Sequence, residues 1–71
     1  MIFTVNYDSN SGYDYEVNFD SLRAAYRYYN SLTKVPYKDI TFDSEKLGTV
    51  TVINSNGTNN IRKYFCLNDY A

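Results

Sequence analysis

The stretch YDYEVNF, residues 13–19, alternates strictly, and the alternation stops at Asp20. This change of period constrains the chain most. Tyr13, Tyr15, Val17 and Phe19 fall on one side of an extended backbone, and Asp14, Glu16 and Asn18 on the other. Period two with aromatic and β-branched residues predicts a strand with one covered face. From Leu22 onward the apolar positions are Leu22, Ala25, Tyr26, Tyr29 and Leu32, the spacing of one helix face. Arg23, Arg27, Asn30 and Lys34 take the opposite side, with Tyr28 on the flank. A strand thus runs directly into an amphipathic helix, predicted over about 20–33. Asp20 or Ser21 can cap it, and Phe19 can pack back on Ala24 as a staple. Val35-Pro36 ends it, because a residue before proline avoids helical angles.

The same reading extends along the chain. IFTVNY, about 2–7, alternates and is joined to 13–19 by DSNSG, a Gly-containing loop of hairpin type. KDITFD predicts a strand over about 38–43, with Ile40 and Phe42 facing one way. GTVTVIN, 48–54, is a β-branched strand with Val50 and Val52 set against Thr49, Thr51 and Ile53. NSNGTNN is a polar loop whose Asn56-Gly57 pair reads as a turn. A last strand is predicted over about 60–67. Its Ile61, Phe65 and Leu67 share a parity with Lys63, which suggests a bulge near Arg62 and Lys63. The order is ββαβββ: a single α+β domain over 1–71, an antiparallel sheet with one helix on one face. The other sheet face is left for water or a partner.

With 71 residues the chain can bury only about 60% of its unfolded surface. Cys66 is the only cysteine, so no internal disulfide is possible, and a lone thiol suggests a reducing, cytoplasmic compartment. The amino-terminal MIFTVNYDSN has neither a basic segment nor a long apolar run, so the chain reads as unexported, with no membrane partner.

Reactive chemistry is sparse in the sequence. There is no histidine to serve as base or metal ligand. A strand cysteine without one reads as packing. Asp14 and Glu16 share a face but read as solvated rather than as a catalytic pair. Asp8-Ser9-Asn10-Ser11-Gly12 fails as a calcium loop, because its glycine comes one residue early and Phe19 stands where the closing glutamate belongs. No catalytic residue, cofactor or metal is expected.

Charge is the more informative pattern. The net charge is −1, which argues against a strong nucleic-acid footprint. Yet residues 1–20 carry Asp8, Asp14, Glu16 and Asp20 with no basic residue. Residues 21–38 carry Arg23, Arg27, Lys34 and Lys38 with no acidic one. The molecule is expected to be electrostatically two-faced, either to stay soluble or to steer a charged partner. Two surfaces compete: a basic-aromatic helix face (Arg23, Arg27, Tyr28, Lys34, with Tyr37 and Lys38 nearby) and an acidic sheet face (Asp14, Glu16, Asn18). Nine tyrosines add contact area. Tyr13, Tyr15, Tyr26 and Tyr29 are expected in the core. Tyr28, Tyr37, Tyr64 and Tyr70 are expected at the surface, Tyr64 on the open sheet face with Arg62 and Cys66.

A short chain rich in tyrosine and asparagine with ββαβββ order resembles small phage and mobile-element accessory proteins of the anti-CRISPR type. The resemblance lies in architecture and composition and assigns no residue. It implies an inhibitor that binds a larger host protein or CRISPR ribonucleoprotein in the host cytoplasm and blocks its nucleic-acid path or its assembly. The reading of the residues is a non-catalytic protein-binding module. The alternatives are a nucleic-acid-binding regulator using the helix face, and a chain that self-associates, as a homodimer for example, through an edge strand or the open sheet face.

Overall fold

A computed structural model describes the backbone of residues 1–68 and the side chains of residues 1–65. The elements are β1 (Phe3–Asp8), β2 (Asp14–Phe19), α1 (Leu22–Ser31), β3 (Tyr37–Ser44), β4 (Gly48–Asn54) and α2 (Ile61–Asn68). The four strands form one antiparallel sheet in the order β2-β1-β3-β4. β1 is therefore central although it comes first. Helix α1 packs on one face only, and α2 lies beside it against β4.

The expected α+β sheet with a helix on one face is present; the last element differs. Residues 60–67, expected as a strand, turn into helix. The polar loop folds back first: Asn54 Oδ1 accepts from the backbone N–H of Asn56 and of Thr58, both at 3.0 Å. Gly57 at its tip takes φ 116°, open to glycine and strained for other residues. Asn59 then bridges Ile53, and the Asn60 N–H donates to the Val52 carbonyl at 2.7 Å. Pairing stops there. The Asn59 side chain accepts from the Ile61 N–H, and the Tyr64 N–H reaches back to the Asn60 carbonyl as the first helical bond. Ile61, Tyr64 and Phe65 stand at i, i+3 and i+4, so a helix brings all three to the core where a strand would split them. Arg62 and Lys63 face out.

The bulge lies elsewhere too. Ile40 pairs with Ile53 but Thr41 pairs with Thr51, which leaves Val52 as the extra residue. Val52 and Ile53 are consequently both buried, although Ile53 was expected to lie with the threonines.

Helix α1 is two residues shorter at each end than its periodicity suggested, for local reasons. Ser21 has extended backbone angles and its hydroxyl accepts from the Ala24 N–H at 3.2 Å, so Ser21 is the cap and Asp20 lies outside. At the other end the Leu32 N–H bonds the Tyr29 carbonyl, three residues back, and the helix closes. Lys38 Nζ donates to that same carbonyl at 2.9 Å and sits 4.2 Å from the Tyr29 ring centroid. A cation at the carboxyl end of a helix also suits its dipole.

The core is Phe3, Val5, Leu22, Ala25, Tyr29, Ile40, Phe42, Val52, Ile53 and Ile61. Phe3 meets Phe42 edge-on at 5.7 Å. Each fully buried aliphatic or aromatic side chain contributes about 1.5–3 kcal/mol. Tyr26 and Tyr29 join the core side as expected, Tyr29 buried and Tyr26 half-buried against Tyr29 and Phe65. Tyr13 and Tyr15 do not: they are 65% and 47% exposed. Their strand lies at the sheet edge, and α1 leaves its far end, so only Val17 and Phe19 are partly covered.

Candidate functional site

Strand register distributes the polar residues. Phe3 and Val5 of β1 point to the helices, so Thr4, Asn6 and Asp8 point to the open face. Asn18, Glu16 and Asp14 of β2 lie beside them in that order. Thr41, Asp39 and Tyr37 of β3 lie on the other side. Asp43 and Thr49 extend the surface toward β4. The strands thus set Asp8, Asp14, Glu16, Asp39 and Asp43 on one polar face, and no lysine or arginine of any strand shares it. The one strand lysine, Lys38, pairs with Tyr7 and points to the helices.

Two zones differ in how these carboxylates are held. Across the middle, hydrogen bonds fix the side chains. Asn6 Nδ2 donates to Asp39 Oδ1 at 2.8 Å and to Thr41 Oγ1 at 3.3 Å. The Tyr37 hydroxyl donates to Asp39 Oδ2 at 2.8 Å. Thr4 Oγ1 donates to Asn18 Oδ1 at 2.8 Å, and Thr49 Oγ1 to Asp43 Oδ1 at 3.0 Å. Both oxygens of Asp39 are thereby engaged, so this carboxylate organises the face. Burial, and then the bond to Asp39, push the Tyr37 phenol up to about 12. Tyr37 therefore stays a donor throughout the physiological range.

At the β1–β2 end the carboxylates crowd instead. Asp8 pairs directly with Asp14 across the strands, and Glu16 follows on the same side. Like charges in direct opposition are unfavourable. The Asp8 carboxyl is raised above its ordinary value by its hydrogen bond with Asp14, then by burial, then by the charges of Asp14 and Asp39. An open cleft of about 350 Å³ lies here, lined by Asn6, Tyr7, Asp8, Asp14, Tyr15, Glu16 and Tyr37. Tyr7 and Tyr15 stack at 5.3 Å beside it. A cation entering this cleft from the open face would relieve the repulsion among the carboxylates.

The helix face is the weaker site. Arg23, Arg27 and Lys34 are exposed, as the spacing of α1 indicated. Their aromatic companions are not beside them as a free surface. Tyr28 is half-buried, its ring 5.5 Å from Phe19 and 6.2 Å from Tyr7, its hydroxyl 3.2 Å from that of Tyr7. Tyr37 belongs to the acidic face, because it pairs with Asp8. Arg62 and Tyr64 leave the sheet entirely: Arg62 is exposed on α2, and Tyr64 packs edge-on against Phe42 at 5.2 Å. Cys66 lies in α2 rather than in a strand. Tyr70 lies outside the described residues.

Of the candidate residues, then, the fold brings Asp14, Glu16 and Tyr37 together and apart from Arg23, Arg27 and Arg62, while the Lys34 carbonyl accepts from Asn10 Nδ2 at 2.8 Å beside the β1–β2 loop. Asp8, Asp39 and Asp43 belong with the first group and were not singled out. Parity alone marks them: Asp8 follows Asn6 by two, and Asp39 and Asp43 flank Ile40 and Phe42 on the opposite side. Among the described residues no group of three or more His, Cys, Asp or Glu is arranged to hold a metal ion. No described helix is long and apolar enough to cross a membrane. No family model matches the chain, and no curated protein or solved structure matches it.

Proposed function

We propose that this chain is a non-catalytic binding module whose open acidic sheet face docks on a basic surface of a larger protein or ribonucleoprotein and occludes it. One observation carries the reading: Asp8, Asp14, Glu16, Asp39 and Asp43 share a face that holds no strand cation, and hydrogen bonds hold Asp39 and Asp43 in place there. Fixed negative charge on a rigid surface speeds encounter with a positive partner and selects its orientation. Prearranged side chains also lower the ordering cost of binding. Basic surfaces that ordinarily hold nucleic acid are suited to such a face. The positively charged channel of a CRISPR effector is one of them, and the anti-CRISPR resemblance points to the same class of partner.

Capture of the partner from host lysate, compared across charge variants, tests this. Asp14→Lys/Glu16→Lys is expected to abolish capture and Arg23→Glu/Arg27→Glu to preserve it, with nucleic acid competing for the captured protein. The reverse pattern would overturn the assignment of the face. Covalent change of the partner at substoichiometric dose would overturn the binding-only mechanism. Direct, steeply salt-dependent binding of DNA or RNA that is lost in Arg23→Ala/Arg27→Ala would favour a nucleic-acid regulator instead.

A further inference from the structure

We infer that the outer edge of β2 is a strand-addition site for an extended partner segment in which basic and apolar residues alternate. The inference rests on the acidic-face reading above and specifies how that face is engaged.

β2 is the terminal strand of the sheet, and among the described residues no other backbone pairs with its outer side. It carries no proline and no lysine, two of the usual devices that blunt an edge. Asp14, Tyr15, Glu16 and Asn18 are exposed. An unpaired row of N–H and C=O groups next to accessible side chains is what β-augmentation uses: the main chain supplies affinity, and alternate side chains supply specificity.

The two sides of that edge differ. On the open side an added strand lies beside Asp14 and Glu16, so its side chains there gain from being cationic. On the helix side it lies beside Val17 and Phe19. A notch of about 370 Å³ continues the surface there, lined by Phe19, Ala24, Arg27, Tyr28 and Ser31. The exposed lining of this notch is mainly carbon, which suits apolar side chains. Arg27 repels a cation on that side, so a segment shifted by one residue is penalised in both rows. A second copy of this chain is a poor occupant. Pairing two β2 edges antiparallel with a common open face brings the Asp14 and Glu16 rows of both copies together, like charge beside like charge.

The experiment uses the full chain and three capped eight-residue peptides of the same composition. One alternates lysine and valine, one has lysines and valines in separate blocks, and one alternates but is N-methylated along one edge. Binding is followed at low salt through backbone amide shifts of the labelled protein. The expected result is binding of the alternating peptide alone, with shifts centred on β2. Asp14→Lys/Glu16→Lys, first shown to be folded by circular dichroism, is expected to weaken it about tenfold. Equal, charge-dependent binding of all three peptides would overturn strand addition and leave the acidic-face reading standing. Absence of binding by any peptide would overturn both. A concentration-dependent dimer whose contacts map to β2 would overturn the choice of occupant.

Discussion

The two faces of this sheet are built from the same strands and alternate residue by residue, yet they are different materials. On the helix side Phe3, Val5, Ile40 and Phe42 are buried and interlock through ring and aliphatic contacts. One residue along, Asn6 donates to Asp39 and Thr41, and Thr4 donates to Asn18, in partial contact with water. The covered face carries the stability of a domain too small for surplus. The open face is ordered without being needed for the core, which leaves its composition free for recognition.

The sharpest way to break this contrast is to mutate neighbours. Phe3→Ala is expected to cost about 3–5 kcal/mol and to leave much of the chain unfolded at ambient temperature, measured by urea denaturation. Thr4→Ala, one position away, loses a hydrogen bond of about 0.5–1.5 kcal/mol and should remain folded. A smaller effect concerns pH. The Asp8 carboxyl is raised in the folded state, so between pH 3.8 and its folded-state value this group holds its proton more in the folded than in the unfolded chain. Its contribution therefore makes stability fall as pH rises from there through the folded-state value. Asp8→Asn should remove this dependence and raise the melting temperature near neutrality. At the alkaline end Tyr37, at about 12 against an ordinary 10.0, should ionise late in a tyrosinate absorbance titration. Its share of stability is intact below pH 10 and lost between 10 and 12. The smallest effect belongs to the exposed helix side: Arg27→Glu should shift stability by about 0.5 kcal/mol or less while inverting a local charge.

Much of this architecture is legible in the chain because the periods are clean. Phe3 and Val5, and then Ile40 and Phe42, announce strands with one buried side, and Leu22, Ala25 and Tyr29 announce the helix that covers them. The segregation of charge follows from the same parity. What stays hidden depends on neighbours distant in sequence. Nothing in YDYEVNF says that this strand lies at the edge, so Tyr13 and Tyr15 look like core and are exposed. Tyr37 is grouped with the basic helix by proximity in sequence, and only its pairing with Asp8 carries it to the acidic face. α2 is misread for another reason. Over a run as short as IRKYFCLN, apolar positions two apart and four apart overlap, so Ile61 and Phe65 fit a strand as well as a helix. Lys63 between them and Tyr64 beside them are the residues that fit only the helix.

The return segment past Gly57 has a consequence for growth of the sheet. By bridging Ile53 and bonding Val52, Asn59 and Asn60 occupy the outer side of β4 along its second half. End-to-end polymerisation through strand pairing requires two long, matching open borders, and among the described residues only β2 is open along its whole length. A guest strand paired to β2, as inferred above, would meet no equal border for the next, a valence that favours closed complexes over filaments.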